Sequence, residues 1–175
     1  MAIFSSADAR RAVERGLDET IAFLADLVRV PSLLGAEEPA QQLVEGRLRR
    51  LGFEVRSVVP DPAALAKRPD SGIPLLDYEG RRSLVAMTGA DNGPSLVLNG
   101  HVDVVSAEPL DRWTKEPFGA EIVGGRMYGR GACDMKGGIA AMLLGVEAAL
   151  AAGPLPGLLV YQSVIEEECG GNGAL

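Results

Sequence analysis

An α/β fold is the architecture this sequence predicts, and three observations carry it. Asp8 to Val30 repeats apolar residues at close to a 3.6-residue period, and Gly137 to Ala152 does so again. Gly157 to Ile165 is a nearly continuous apolar run of strand length. The composition agrees: 47% hydrophobic and 23% charged over 175 residues, without biased tracts, is enough for one domain with its own core.

The elements follow in order. In the first helix the apolar positions are Val13, Leu17, Ile21, Leu24, Leu27 and Val28, and Pro31 ends it. A second helix is expected over Glu38–Leu51, with Leu43, Val44, Leu48 and Leu51 inward and Gly52 at its C-terminal stop. Phe53–Val59 reads as a strand. Pro60–Arg82, with four prolines and two glycines, reads as a long excursion. Leu84–Thr88 and Ser95–Asn99 are short strands flanking a turn-rich segment, which suggests a hairpin. Glu121–Val123 and Arg126–Tyr128 flank Gly124-Gly125 as a second hairpin. Ile139, Met142, Leu143, Val146 and Leu150 form the stripe of the last helix, and Gly153-Pro154 stops it. The run from Gly157 then reads as a strand buried on both faces. No internal repeat occurs.

Charge and composition exclude several functions. A net charge of −7 disfavours a polyanion, so no nucleic-acid partner is expected. No window is long and apolar enough for a membrane span, and Met1–Arg15 lacks the apolar core of a signal peptide. Cys133 and Cys169 fall in no zinc-finger or redox spacing, which fits a reduced, cytoplasmic setting.

Three clusters carry chemistry. Asn99-Gly100-His101-Val102-Asp103 follows a strand, and in extended backbone His101 and Asp103 project to one side. A carboxylate there can fix the tautomer of a ligating imidazole; otherwise the two are an incidental surface pair. Tyr128 to Gly138 looks like a phosphate loop but fails as one. Asp134 replaces the third glycine of the dinucleotide motif, and Lys136 is followed by glycine instead of Ser or Thr. A carboxylate on such a turn suits bridging two cations. The third cluster, Glu166-Glu167-Glu168, ends the most apolar strand. It is either a solvated turn or a metal ligand beside a general base. A serine hydrolase is excluded because there is no G-x-S-x-G elbow and Ser163 lies mid-strand.

Together these stretches resemble the zinc-dependent peptidase family M20, which includes acetylornithine deacetylase, succinyl-diaminopimelate desuccinylase, aminoacylase and glutamate-releasing carboxypeptidases. The matching residues are Leu98–Asp103, Trp113 with Pro117-Phe118, Gly129-Arg130-Gly131 through Gly138, and Glu167-Glu168 with Gly170 and Gly173. The resemblance implies a three-layer αβα domain with a mixed, mostly parallel sheet, incomplete at its C-terminal side. It implies two Zn2+ ions, with Co2+ as a substitute: His101 on one, Glu168 on the other and Asp134 bridging both. Glu167 is then the general base and Asp103 steadies the imidazole. Gly170 and Gly173 fix that register and leave Glu166 where the family usually has aspartate. A non-proline cis peptide at Asp134-Met135 is also implied. Cys133 and Cys169, though adjacent to ligands, are expected to be ordinary buried thiols.

By the same resemblance, residues 1–175 are expected to be the N-terminal portion of the catalytic domain, without its C-terminal part or the dimerisation domain. The complete enzyme is expected to be a homodimer acting on an N-acyl amino acid or small peptide, with acetylornithine deacetylase the nearest type. The chain by itself is expected to be inactive, with its strand 157–165 at an open apolar edge. The alternative is a non-catalytic binding protein that keeps this part of the fold.

Overall fold

The computed structural model describes residues 5–175. Helix α1 (Ser6–Arg29) starts at a capping box, in which Ser5 accepts from the Asp8 amide and the Asp8 carboxylate accepts from the Ser5 amide. Helix α2 (Glu38–Arg50) stops at Gly52, whose φ of 84° permits the bonds from the Phe53 amide to the Leu48 carbonyl and from Gly52 to Arg49. Strand β1 (Glu54–Val58), one-turn helix α3 (Pro62–Leu65), β2 (Ser83–Gly89) and β3 (Ser95–His101) follow. The chain continues through β4 (Glu121–Val123), β5 (Arg126–Tyr128), α4 (Lys136–Ala151) and β6 (Leu158–Val164).

The main sheet has the order β1-β2-β6-β3, and β4 and β5 form the separate hairpin expected across Gly124-Gly125. The first expected hairpin does not form. β2 and β3 do not pair, because β6 lies between them, antiparallel to β2 and parallel to β3. The segment 90–94 therefore straddles the start of β6: the Leu158 amide donates to the Pro94 carbonyl at 3.1 Å and Ala90 donates to the Gly157 carbonyl at 3.3 Å. The most apolar strand in the chain gains a partner on each side. It sits inside the sheet, not at the open edge expected for it. The sheet is mixed and open, as expected, but only the β3–β6 pairing is parallel.

Leu84 and Ala86 of β2 with Leu159 and Tyr161 of β6 face one helical layer, built from Phe23 and Leu27 of α1, Val44 and Leu48 of α2, and Ile139, Leu143 and Val146 of α4. On the sheet's other face Val85, Met87 and Val160 are half-buried, and Val97 is 55% exposed. The third layer of the expected arrangement is not found among the described residues. In α1, Leu27 and Val28 are buried as read, but Val13, Leu17 and Ile21 are exposed. The helix turns small residues, Ala12 and Ala25, inward instead. The excursion after β1 is anchored, not free: Leu65, Tyr78 and Arg81 are all buried.

Candidate metal centre

β3 and β6 run parallel, with His101 opposite Val164, so both strands deliver their following residues to the same end of the sheet. Val102 continues the pairing by donating to the Val164 carbonyl at 3.0 Å, and His101, Val102 and Asp103 are all buried. The turn before α4 brings Asp134 to the same place, with a cis peptide at Asp134-Met135 as expected.

Lys136 pins that turn. It is fully buried and donates to the Leu27 and Val30 carbonyls at 2.9 and 2.7 Å, so a cation caps the C-terminal end of α1. Burial holds its ammonium pKa down to about 8. Sequence reasoning quoted Lys136 within a motif but gave it no role. A lysine three residues before the apolar stripe of α4 was the available signal.

The histidine's tautomer follows from its partners. Nδ1 lies 3.0 Å from the backbone carbonyl of Asp103, which can only accept, so Nδ1 carries the hydrogen and Nε2 presents its lone pair. Nε2 faces Asp134 Oδ1 at 3.2 Å, and a Glu168 carboxylate oxygen completes a triad of atoms within 4.8 Å of one another. Three acceptors converge with no donor among them, so a positive charge belongs in the gap. This donor set fits a divalent cation of the borderline kind. Burial, and then the negative charge of Asp134, pushes the Glu168 carboxyl above its usual range. Glu167 lies alongside, its Oε2 3.7 Å from His101 Nε2 and its side chain half-exposed.

Asp103 does something other than was expected. Its carboxylate is 3.7 Å from Nδ1, too far for a hydrogen bond, and it is the backbone carbonyl that holds the ring. The carboxylate oxygens accept instead from the amides of Glu167 and Glu168 at 3.2 and 3.0 Å. Burial raises its pKa, and those two amides oppose the rise. Asp103 thus ties the β3 end to the backbone of the glutamate turn. Glu166 points away from the triad and is fully buried. Cys133 and Cys169 are free thiols, but not the buried ones expected: Cys133 is exposed and Cys169 only partly buried.

An open mixed α/β sheet thus carries an imidazole and two carboxylates around one gap, which places the chain among α/β domains with a candidate metal site at the ends of their strands. Residues 97–175 match the profile described as peptidase family M20/M25/M40, and the chain belongs to that family. It is 33% identical over 156 residues to a succinyl-diaminopimelate desuccinylase of Variovorax paradoxus, covering 88% of this chain and 37% of that protein. A desuccinylase of Rhodospirillum centenum is 40% identical over 128 residues, covering 73% and 30%. The chain therefore spans about a third of the length of these relatives. Among solved structures, human carnosine dipeptidase 1 matches with a TM-score of 0.70 at 27% identity, over 94% of this chain and 35% of that one. The di-peptidase Dug1p of Saccharomyces cerevisiae shares the fold with a TM-score of 0.75 at 22% identity, over 94% and 35%. No helix among the described residues is long and apolar enough to cross a membrane.

Proposed function

We propose that this chain is the N-terminal portion of an enzyme that hydrolyses the amide bond of an N-acyl amino acid or small peptide at a divalent metal centre. The carrying observation is the convergence of His101 Nε2, Asp134 and Glu168 on one gap, with Glu167 beside it. His101 would hold one Zn2+, Glu168 a second, and Asp134 both, with Co2+ as a substitute. Three side chains fall short of what two catalytic ions need, so further ligands come from outside this set, and residues 1–175 alone bind metal weakly and are inactive. When bound, the ions lower the pKa of water and polarise the amide carbonyl.

The chain's own residues do the rest. Glu167 takes the water's proton and returns it to the leaving amine nitrogen, which releases a carboxylic acid and an amino acid. Asp103 fixes the backbone of Glu167 and Glu168, while its carbonyl keeps His101 in the ligating tautomer. Desuccinylases among the relatives favour an N-succinyl substrate over the N-acetyl one expected from the sequence. Free thiols at Cys133 and Cys169 suit a cytoplasmic setting. The complete enzyme would work as a homodimer.

Glu167→Gln and Glu168→Gln test the roles, with metal content and turnover of N-succinyl and N-acetyl amino acids measured separately in the protein carried to its relatives' length. Glu167→Gln should keep its metal and lose at least about a hundredfold in kcat. Glu168→Gln should lose metal. Reversed phenotypes would shift the register by one, and wild-type protein that holds no metal would leave the binding-protein reading in place.

A further inference from the structure

Glu166 stands where the resemblance expects aspartate, and its surroundings are more elaborate than a turn requires. It is fully buried, and its φ of 61° lies in the left-handed region that a side chain rarely adopts. Its Oε1 accepts from Tyr78 Oη at 3.1 Å and from Asn172 Nδ2 at 3.3 Å. Its Oε2 accepts from Arg81 Nη1 at 3.0 Å. Arg81 is itself 7% exposed and stacks over the Tyr78 ring at 5.4 Å. Its Nη2 donates to Glu37 Oε1 at 2.6 Å, and Glu37 is the buried N-cap residue just before α2. Asn172 extends the link, exchanging hydrogen bonds with the Gly72 backbone at 2.9 and 3.2 Å.

Gly72, Tyr78 and Arg81 all lie on the excursion 60–82, the segment in which the sequence offered no function. Two carboxylates therefore anchor the glutamate turn. Asp103 holds the amides of Glu167 and Glu168, and Glu166 carries the turn's first side chain into a guanidinium fixed by α2.

We propose that Arg81 is a positioning residue for the metal centre: through Glu166 it sets where Glu167 and Glu168 stand relative to His101 and Asp134. This rests on the reading of Glu168 as a metal ligand given above. The physical argument is one of rigidity. A planar guanidinium shared between two buried carboxylates has few alternative geometries. An unusual backbone conformation at Glu166 persists only where its surroundings over-determine it. The longer side chain suits this: glutamate reaches Arg81 from the turn, and aspartate would be one methylene short.

The test is a Co2+ titration of the whole chain, followed by its visible absorption spectrum, together with thermal melting and far-UV circular dichroism. The variants are Arg81→Met, Arg81→Lys, Tyr78→Phe and Glu168→Gln. Arg81→Met should weaken Co2+ binding about tenfold, the lower end of the range for residues that orient ligands, and should alter the cobalt spectrum. Arg81→Lys, which keeps the charge but not the fork, should recover part of the affinity. In the enzyme at its relatives' length, Arg81→Met should lower kcat with KM little changed.

A folded Arg81→Met protein with wild-type Co2+ affinity and spectrum, merely melting lower, would overturn the proposal. If Arg81→Met fails to fold, Tyr78→Phe decides. That variant removes one donor to Glu166 and leaves the packing, so a weaker, spectrally altered cobalt site supports the proposal and an unaltered one overturns it. Glu168→Gln separates the two readings: cobalt binding unaffected by that change would remove the ligand assignment itself, whatever Arg81 does.

Discussion

β3 and β6 end in two different kinds of chemistry. At their C-terminal ends, buried ionised and polar groups crowd together, namely His101, Asp103, Lys136, Glu166 and Arg81, each with a named partner. At their N-terminal ends the same strands carry almost nothing but hydrocarbon. Leu96, Leu98, Met142, Val146, Leu155 and Leu159 border a groove of about 430 Å3, and the polypeptide is held there by apolar packing and backbone hydrogen bonds. One pair of strands thus places a polar, over-determined end opposite an apolar one. Position in a sheet is supplied by the ladder; what the ends can do depends on whether side chains or backbone finish the job.

Three substitutions probe that contrast. The largest effect belongs to the polar end. Asp103→Leu removes the acceptor for two amides and should cost about 3–5 kcal/mol in urea denaturation, the scale for breaking a buried charged network. A loss below about 1 kcal/mol would mean that the polar end is no more determined than the apolar one.

The apolar end should yield differently. A Cβ at Gly157 would sit 1.8 Å from the Pro94 carbonyl oxygen, so Gly157→Ala must push the 90–94 segment off the start of β6. The expected cost is about 1–3 kcal/mol, the scale of overpacking. Because the disturbance lies at the far end of the strands, the affinity for Co2+ should not change. A weakened cobalt site would show that the ends are coupled.

The smallest effect sharpens the comparison, since Arg82 is the surface counterpart of its neighbour Arg81. Arg82 pairs with Glu38 and Glu45 at 2.9 and 2.7 Å, all of them at least partly exposed. Its hydrogen bond to Glu38 holds that carboxyl below the usual value of 4.5. A depressed folded-state pKa adds stability above the unfolded value and loses it as pH falls through the folded one. Arg82→Met should therefore cost less than about 1 kcal/mol at pH 7, after allowing for solvent screening. The difference from wild type should shrink as pH falls below 4.5. Melting curves at pH 7 and pH 3 check this; an equal loss at both would assign Arg82 to packing and not to charge.

Much of the fold was legible because local pattern and local outcome agree. The stripe of α4, the glycine stop of α2 and the 124–125 hairpin all depend on residues a few positions apart. The failures are non-local. Turn residues at 89–94 give the same signal whether the flanking strands pair or open to admit a strand from later in the chain. The apolar character of 157–165 was correctly seen, but apolarity alone does not say how many neighbours a strand has. At the site, spacing marked the three clusters and the family resemblance picked out His101, Asp134 and Glu168 within them, and the structure gathers those three. Counting back from Gly170 and Gly173 separated Glu168 from Glu166, which the structure turns in opposite directions. Spacing failed for the Asp103 carboxylate because the i, i+2 rule names a side, not a partner. It was silent on Tyr78 and Arg81, whose partner lies more than eighty residues away and leaves no periodic trace.

The pairing of His101 with Val164 has a consequence for how the molecule is made. A slip of one residue between β3 and β6 would turn His101 to the opposite face and part it from the glutamate turn. Ion capture by this chain is thus a readout of strand alignment. A refolding experiment with cobalt present would register colour only in molecules whose two parallel strands had found their proper stagger, and the moment at which colour appears would date that step against the collapse of the helices.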